Sequence, residues 1–141
     1  METIAERFVA ELVEAVNRHE LDTLTGLFAP DYVNETPVHP ARGFTGNDQV
    51  RRNWTSIFAA VPDLATEVTA LAVAGDTVWT EWKMDGTRRD GAEHHMRGVV
   101  VFTVESGRAT AARFYLEPLD TSSADVDAAI ASALRSPGEP S

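Results

Sequence analysis

Three side chains that could carry chemistry lie at alternate positions near the end of the chain. Arg113, Tyr115 and Glu117 are each two residues apart, so on a β-strand all three share one face. A carboxylate in an apolar pocket is suited to proton transfer because burial raises its pKa toward neutral pH. We therefore expect Glu117 to act as a general acid or base, Tyr115 to donate to a developing oxyanion, and Arg113 to bind an acidic group. The alternative is an ion pair of Arg113 with Glu117 on a solvated face, which would lower the pKa of the carboxyl.

The strand that would position these residues belongs to the clearest hairpin in the sequence. The Ser106-Gly107 turn joins two runs rich in β-branched and aromatic residues. Pro118 ends the second run because proline has no N–H to donate to a neighbouring strand. The predicted long strands of this half of the chain are Leu64–Ala74, Thr77–Met84, His94–Val104 and Ala109–Glu117. The polar segment 85–93 contains two glycines and is predicted to be a loop.

The first half of the chain is predicted to be mainly helical. Apolar residues recur every four positions from Ile4 to Val16, which is typical of an amphipathic helix. The predicted elements are helices over residues 3–17, 21–28 and 48–60, a short strand over 31–36, and a last helix over 123–136. Asp22, Asn47 and Ser123 are the expected N-caps, and residues 137–141 are predicted to be disordered.

Helices followed by a meander of strands indicate the α+β fold class. We expect a cone-shaped α+β barrel in which a curved antiparallel sheet wraps around the N-terminal helices. Residues 1–120 would form this domain, and residues 121–141 a C-terminal helix and tail. The mouth of such a cone is a natural site for a small molecule.

The composition argues against several classes of function. The 141 residues carry a formal net charge of −10, which repels nucleic-acid phosphates. The sequence contains no cysteine, so disulfides, thiolate metal sites and cysteine nucleophiles are excluded. No apolar run approaches the roughly 20 residues of a membrane-spanning helix, and the Met1 start shows no signal-peptide pattern. We therefore expect a cytoplasmic protein that binds neither nucleic acid nor membrane.

The order of elements and several short motifs resemble the SnoaL-like branch of the nuclear transport factor 2-like superfamily. The resemblance covers residues 4–120 and includes the early helix pair and the final hairpin. It also rests on Phe44-Thr45-Gly46-Asn47, Phe58-Ala59-Ala60-Val61-Pro62-Asp63-Leu64 and Val73-Ala74-Gly75-Asp76-Thr77-Val78. The superfamily includes ketosteroid isomerases, polyketide cyclases, limonene-epoxide hydrolases, dehydratases and non-catalytic binding proteins. The resemblance therefore implies the cone fold but does not determine the activity.

Two segments resemble the epoxide hydrolases in particular. The segment 32–37 is similar to the one in which a tyrosine and an asparagine position the attacking water. The segment 112–117 is similar to the strand that ends in a catalytic aspartate, which implies that Glu117 is the pocket carboxylate. The family also needs an arginine and a second aspartate on an inner strand, and these positions hold Trp82 and Met84. Neither side chain can clamp a carboxylate or protonate an epoxide oxygen, so the complete hydrolase set is missing.

Further residues are candidates for enclosing the ligand. Trp82 and Met84 share the more apolar face of their strand and are expected to face inward, whereas Trp79 points to the opposite face. Tyr32 and Asn34 would hold a water or a carbonyl oxygen. The candidate substrate-binding residues are Tyr32, His39, Trp54, Phe58, Trp82, Met84, His95 and Arg113, and the candidate catalytic residues are Glu117, Tyr115 and Asn34.

The histidines give no support to a metal site. His94 and His95 are adjacent, so on a strand they face opposite ways. A metal triad would need His39, His95 and Glu117 to converge, and no HxH or HxxxH spacing favours this. A single inward histidine, either His39 or His95, would instead be a proton shuttle, and the alternative is a polar residue at the rim of the cone. We expect no metal and no cofactor.

Hypotheses of different classes remain open. The first is a cofactor-independent isomerase, cyclase or dehydratase that acts by general acid/base proton transfer on a small apolar carbonyl compound. The second is a non-catalytic ligand-binding or dimerisation module with the same cone, and the third is an epoxide hydrolase with a remodelled triad. A homodimer is expected from the resemblance and from apolar positions on the outward face of the sheet.

Overall fold

Residues 1–138, which a computed structural model describes, form an α+β fold in which helices cover one face of a curved, unclosed sheet. The predicted fold class is confirmed. The helices are α1 (Ile4–Asn17), α2 (Leu21–Gly26), α3 (Asn47–Ala60) and α4 (Val126–Ala133). The strands are β1 (Phe28–Glu35), β2 (Phe44–Thr45), β3 (Ala65–Ala74), β4 (Thr77–Thr87), β5 (Glu93–Glu105) and β6 (Arg108–Pro118). Of residues 137–141, which were predicted to be disordered, 137 and 138 form a turn, and 139–141 lie outside the described range.

The sheet in this part of the chain has six strands in the order β2-β1-β6-β5-β4-β3. The antiparallel meander predicted for the second half is present, because β3, β4, β5 and β6 pair in sequence. The early strand β1 lies beside β6 and runs parallel to it, with Asn34 opposite Ala112. The N-terminal half of the chain therefore delivers one strand directly next to the last strand of the meander.

Helix α1 closes the concave face of the sheet with its apolar stripe. Its first turn is stabilised by a capping box, in which the Thr3 hydroxyl accepts from the Glu6 amide and the Glu6 carboxylate accepts from the Thr3 amide. The Phe8 ring packs edge-on against Phe102 of β5 with 5.1 Å between ring centroids. Each such fully buried side chain contributes about 1.5–3 kcal/mol through removal of apolar surface from water. The sheet therefore curves around α1, because this arrangement buries the apolar face of the helix and the concave face of the sheet against each other.

A glycine in the middle of β5 permits a close approach of β6. Gly98 has a φ of +148° and pairs with Trp82 on one side and Leu116 on the other. A Cβ atom at this position would lie 2.1 Å from the carbonyl oxygen of Tyr115. Only glycine permits this backbone conformation together with such a close approach of β6.

The strands of the central hairpin are longer than the sequence pattern predicted. β4 continues to Thr87 and β5 begins at Glu93, so residues 85–87 and 93 of the predicted loop are strand and residues 88–92 form the connection. The Thr87 amide donates to the Asp63 carboxylate at 2.6 Å, which satisfies the end of β4. Some polar side chains that suggested a loop therefore lie along paired strands, with Asp85 opposite His95.

The caps also differ from those predicted. Gly46, with a φ of +98°, is the N-cap of α3, and the Asn47 side chain instead donates from Nδ2 to the Phe28 carbonyl. Glu20 rather than Asp22 precedes α2, without a side-chain capping bond. Asp125 rather than Ser123 caps α4 by accepting from Ala128. Which residue is the N-cap of each helix therefore depends on where the chain enters that helix.

The C-terminal helix does not contribute to the core. All residues of α4 are exposed, including the apolar side chains of Val126 and Ile130. No helix within residues 1–138 has the length and apolar character needed to cross a membrane.

Candidate functional site

A partly open cavity of about 450 Å³ lies between α3 and the concave face of the sheet. Its volume is within the range of about 300–1,000 Å³ that is typical of small-molecule sites. Apolar side chains form most of the lining: Phe28, Tyr32, Phe44, Val50, Trp54, Ile57, Leu64, Met84, Met96, Phe114 and Leu116. The polar lining residues are Asn34, Thr36, Arg42, Asn53 and His94, and no carboxylate is among them.

Tyr32 and Asn34 form a buried polar pair at the cavity. They are two residues apart on β1 and therefore share its inner face. The Tyr32 hydroxyl donates to Asn34 Oδ1 at 2.7 Å. Burial raises the pKa of Tyr32, so the phenol stays neutral and remains a donor.

The hydrogen bond from Tyr32 determines the orientation of the Asn34 amide. Because Oδ1 is occupied, the amide nitrogen is the group that remains for other partners. Asn34 Nδ2 makes no hydrogen bond within residues 1–138. It is not fully buried, because no side-chain nitrogen or oxygen atom in that range is both fully buried and without a hydrogen-bond partner. Asn34 is only 8% exposed and lines the cavity, so its N–H donors open into that space.

His94 of β5 lines the same cavity and is the one lining residue that can change its charge near neutral pH. Its pKa is lowered from 6.5, first because partial burial disfavours the imidazolium and then because Arg88 and His95 repel it. The Arg88 guanidinium lies 3.5 Å from Nδ1, an exposed contact too long to impose one tautomer. His94 is therefore neutral at pH 7 and available as a proton acceptor.

Asn53 of α3 adds a second amide to the lining. Its Oδ1 accepts from Gln49 Nε2 at 2.7 Å, one helical turn away. This contact leaves the Asn53 amide nitrogen without a partner in the described part of the chain. Amide donors therefore reach the cavity from both the sheet and the helix layer.

The placement predicted for the alternating residues of β6 is wrong. The side chains of β6 that line the cavity are Phe114 and Leu116, which share a face with the buried Ala112. Arg113, Tyr115 and Glu117 point to the opposite, convex face. The apolar face of β6 turns inward because the helices cover that side of the sheet.

On the convex face, these three side chains have other partners. Arg113 lies over the ring of Trp79, with 5.8 Å between Cζ and the ring centroid. Tyr115 is 38% exposed. Glu117 Oε1 lies 3.1 Å from His39 Nε2 and 3.8 Å from an Arg42 guanidinium nitrogen. The predicted ion pair of Arg113 with Glu117 is not among the contacts of residues 1–138, so neither arrangement expected for the two residues is present.

The two predicted histidines also lie outside the cavity lining. His95 is on the convex face, where Nδ1 lies 2.6 Å from the Asp85 carboxylate. This hydrogen bond raises the pKa of His95, and together with Arg97 it lowers the pKa of Asp85. His39 contacts Glu117 beside the cavity, so the metal triad of His39, His95 and Glu117 does not converge.

Two predicted aromatic residues do not line the cavity: Trp82 belongs to the buried core, and Phe58 is partly buried and packs against that core. Trp82 faces inward, as predicted, but is 2% exposed and donates from Nε1 to Thr80 Oγ1 at 2.6 Å. Phe58 stacks on His19 with 4.4 Å between ring centroids. Trp79 is 49% exposed on the convex face, in agreement with the sequence prediction.

Of the predicted site residues, the structure brings Tyr32, Asn34, Trp54 and Met84 to the cavity. Sequence reasoning missed His94, Arg42 and Asn53. For His94 a signal existed, since it alternates with Met96, Gly98 and the buried Val100 rather than with polar residues. No sequence signal marked Arg42, because its position depends on how the irregular segment 36–43 returns to β1.

The fold is that of a cone-shaped α+β domain with a cavity between helix and sheet. Residues 9–112 match the family described as the SnoaL-like domain, and the chain belongs to this family. A search among curated proteins found no match.

Several solved structures are similar to the whole domain. IdmH, a candidate polyketide cyclase from Streptomyces antibioticus, is 24% identical, with 80% of this chain and 91% of that chain covered and a TM-score of 0.70. An LEH-like epoxide hydrolase from M. tuberculosis is 21% identical, with coverage of 82% and 84% and a TM-score of 0.70. RV0760c from Mycobacterium tuberculosis, in complex with estradiol-17beta-hemisuccinate, is 20% identical, with coverage of 80% and 93% and a TM-score of 0.69. At these identities the similarity shows the fold alone.

Proposed function

We propose that this protein is a cofactor-independent enzyme that moves a proton on a small, largely apolar carbonyl compound. The observation that carries the proposal is the Asn34 amide, held by Tyr32 so that its N–H donors open into an otherwise apolar cavity. A donor fixed in this way stabilises negative charge on a carbonyl oxygen as an enolate forms. The surrounding apolar side chains exclude water, which strengthens that interaction.

His94 is the proton carrier in this proposal and replaces Glu117 in that role. It lines the cavity, whereas the Glu117 carboxylate lies on the other face of β6. The lowered pKa of His94 keeps the imidazole neutral at pH 7, so it accepts a proton from the carbon next to the carbonyl. The same proton can return to a different carbon, which is the chemistry of an isomerase, or leave with a hydroxyl, which is that of a dehydratase.

The relatives support a small apolar ligand. RV0760c is in complex with a steroid ester, and IdmH is a candidate polyketide cyclase. Steroids and polyketides are apolar compounds that carry oxygen, which fits a cavity of about 450 Å³ with few polar side chains.

Non-catalytic binding is the second candidate function. It is favoured by the absence of carboxylates from the cavity lining, since His94 is then the sole lining group that titrates near neutrality. The same absence counts against an epoxide hydrolase, which would need acidic groups at the epoxide. The inner-strand position Met84 lines the cavity with a thioether in place of an acid.

Hydrogen–deuterium exchange of a ketone tests the enzymatic proposal directly. The probe is 2-acetylnaphthalene in deuterated buffer at neutral pH, with loss of the methyl protons followed by NMR. We expect the wild-type protein to accelerate exchange above the buffer rate and His94→Gln to lose most of this acceleration. A typical general base contributes about 10²–10⁴-fold.

The neighbouring histidine provides the matched control. His95→Gln changes the same residue type on the convex face and should retain the acceleration, as should Glu117→Gln. Binding of the ketone without any acceleration by the wild-type protein would leave only the binding function. Equal losses in His94→Gln and His95→Gln would show a structural effect and refute the role of His94.

We also propose that the protein is a homodimer that uses the convex face of the sheet. Trp79 of β4, Tyr115 of β6 and Val33 of β1 are exposed there, and Trp79 pairs with the buried Val101 of β5. Exposed aromatic side chains of this kind are enriched at interfaces. Sedimentation equilibrium of the wild-type protein and of Trp79→Glu tests this, with dissociation expected for the variant.

A further inference from the structure

Arg42 is a charged residue in the lining of an otherwise uncharged cavity. It belongs to the 3₁₀ turn at Pro40–Arg42, directly before β2, and its side chain is 61% exposed. A residue that lines the cavity and is also largely exposed lies at the opening. The mouth of the cavity therefore carries a permanent positive charge.

The guanidinium of Arg42 is available to a ligand. It makes no side-chain hydrogen bond within residues 1–138, and its one ionic contact there is Glu117 Oε1 at 3.8 Å. That oxygen is closer to His39 Nε2, at 3.1 Å. Glu117 thus has a nearer partner, and most of the five N–H donors of Arg42 remain unused.

We propose that the natural ligand carries a carboxylate, which Arg42 binds at the mouth while the apolar body of the ligand fills the cavity. This inference rests on the proposed function, because it assigns the chemical class of the molecule bound at that site. A guanidinium binds a carboxylate through two parallel N–H···O bonds. A single cation suits a monoanion better than a doubly charged phosphate.

The charge distribution of the chain supports this assignment. The net charge is −10, yet no acidic residue within residues 1–138 lines the cavity. The negatively charged surface repels an organic anion elsewhere, so the mouth at Arg42 is a favourable place for such an anion to bind. Glu117 is the nearest acid to Arg42 and competes with the ligand for it.

A matched pair of probes separates the carboxylate from the rest of the ligand. We measure the dissociation constants of neutral 2-acetylnaphthalene and of 6-acetyl-2-naphthoic acid by tryptophan fluorescence at pH 7.5. The wild-type protein should bind the acid more tightly than the ketone. Arg42→Gln should weaken binding of the acid by about 3–10-fold, a modest factor because the ion pair is partly exposed. The same substitution should leave the affinity for the neutral ketone within about twofold.

Two further variants test the geometry. Glu117→Gln removes the competing carboxylate and should strengthen binding of the acid without changing that of the ketone. Arg7→Gln removes an equal charge from the exposed surface of α1 and should change neither affinity. Added salt should weaken binding of the naphthoic acid and leave binding of the ketone unchanged.

The outcomes distinguish this inference from the proposed function. Binding of the ketone together with an unchanged acid affinity in Arg42→Gln overturns the carboxylate assignment and leaves the proposed function intact. Equal weakening of both probes by Arg42→Gln also overturns it, because Arg42 would then act on the shape of the mouth. Failure of the wild-type protein to bind either probe overturns the proposed function and this inference with it.

Discussion

The Tyr32 hydroxyl donates a 2.7 Å hydrogen bond to Oδ1 of Asn34, its neighbour on the inner face of β1. Both residues are buried, so each would lose solvation without compensation if the other were absent. The bond also aligns the dipole of the amide, which strengthens its N–H groups as donors toward the cavity. This one hydrogen bond, between residues two positions apart, therefore stabilises the buried pair and also orients the N–H donors of Asn34 toward the cavity.

We expect Tyr32→Phe to lower the free energy of unfolding by about 1–3 kcal/mol, because Oδ1 of Asn34 is left buried without a donor. The affinity for 2-acetylnaphthalene should fall as well, since the amide becomes free to rotate. Urea denaturation and fluorescence titration measure the two effects. Tyr115→Phe is the matched control on the convex face and should change stability by no more than about 0.5 kcal/mol. Equal effects of the two substitutions would contradict this account of the pair.

The titration of His94 should determine the pH dependence of ketone exchange. Its pKa is lowered from 6.5, so the neutral, proton-accepting form is gained as pH rises through a value below 6.5. The protein-dependent exchange rate should increase over that interval and be constant near pH 7. NMR titration of the imidazole, assigned with His94→Gln, should give the same midpoint. A midpoint above 6.5, or a rate that still rises beyond pH 7, would refute His94 as the base.

The contact of Asp85 with His95 should make stability depend on pH in a defined interval. The folded pKa of His95 is raised above 6.5, so its contribution is complete below 6.5 and is lost as pH rises through the raised value. The folded pKa of Asp85 is lowered below 3.8, so its contribution is complete above 3.8 and is lost as pH falls through the lowered value. His95→Gln should therefore reduce the melting temperature most between pH 3.8 and 6.5 and much less at pH 9.

The adjacent histidine, His94, should change stability with pH in the opposite direction and is the control for that experiment. Because the folded pKa of His94 is lowered, its protonation below pH 6.5 opposes folding. His94→Gln should thus stabilise the protein relative to wild type at low pH, where His95→Gln destabilises it. The same pH profile for both variants would show that the two side chains share one environment, contrary to their opposite faces on β5.

Gly98→Ala should cost at least about 3 kcal/mol of stability. The backbone has a φ of +148°, and the added methyl group would collide with the Tyr115 carbonyl of the paired strand. Gly26→Ala is the control, because no atom lies within 4 Å of its Cβ position and its backbone is helical. That variant should be neutral or more stable by up to about 1 kcal/mol. Thermal unfolding of both variants measures the difference, and a mild effect at Gly98 would refute the requirement for glycine at this position.

Much of the fold was predictable from local patterns. The four-residue spacing of apolar residues in α1 and the alternation around Trp82 in β4 each selected one buried side, and both sides are buried in the structure except for Ile4 at the start of α1. These predictions succeeded because each element has one face that is clearly more apolar than the other.

The candidate site was predictable only in part. Tyr32 and Asn34 were predicted together because polar side chains two apart on a short strand share a face and can reach the same ligand oxygen. Arg42 was missed because the segment before β2 has no periodicity, and its position follows from the pairing of Asn34 with Phe44. His94 was confused with His95 because alternation separates two adjacent residues without saying which of them faces inward.

The sequence by itself determined that Arg113, Tyr115 and Glu117 share one face of β6, since the period of a strand is two. Only the tertiary structure decided that this face is convex. Helices α1 and α3 cover the side of Phe114 and Leu116, because burial of those apolar side chains outweighs any preference of the polar set. Glu117 therefore lies outside the cavity lining, beside Arg42, and the imidazole that lines the cavity is that of His94 on the neighbouring strand β5.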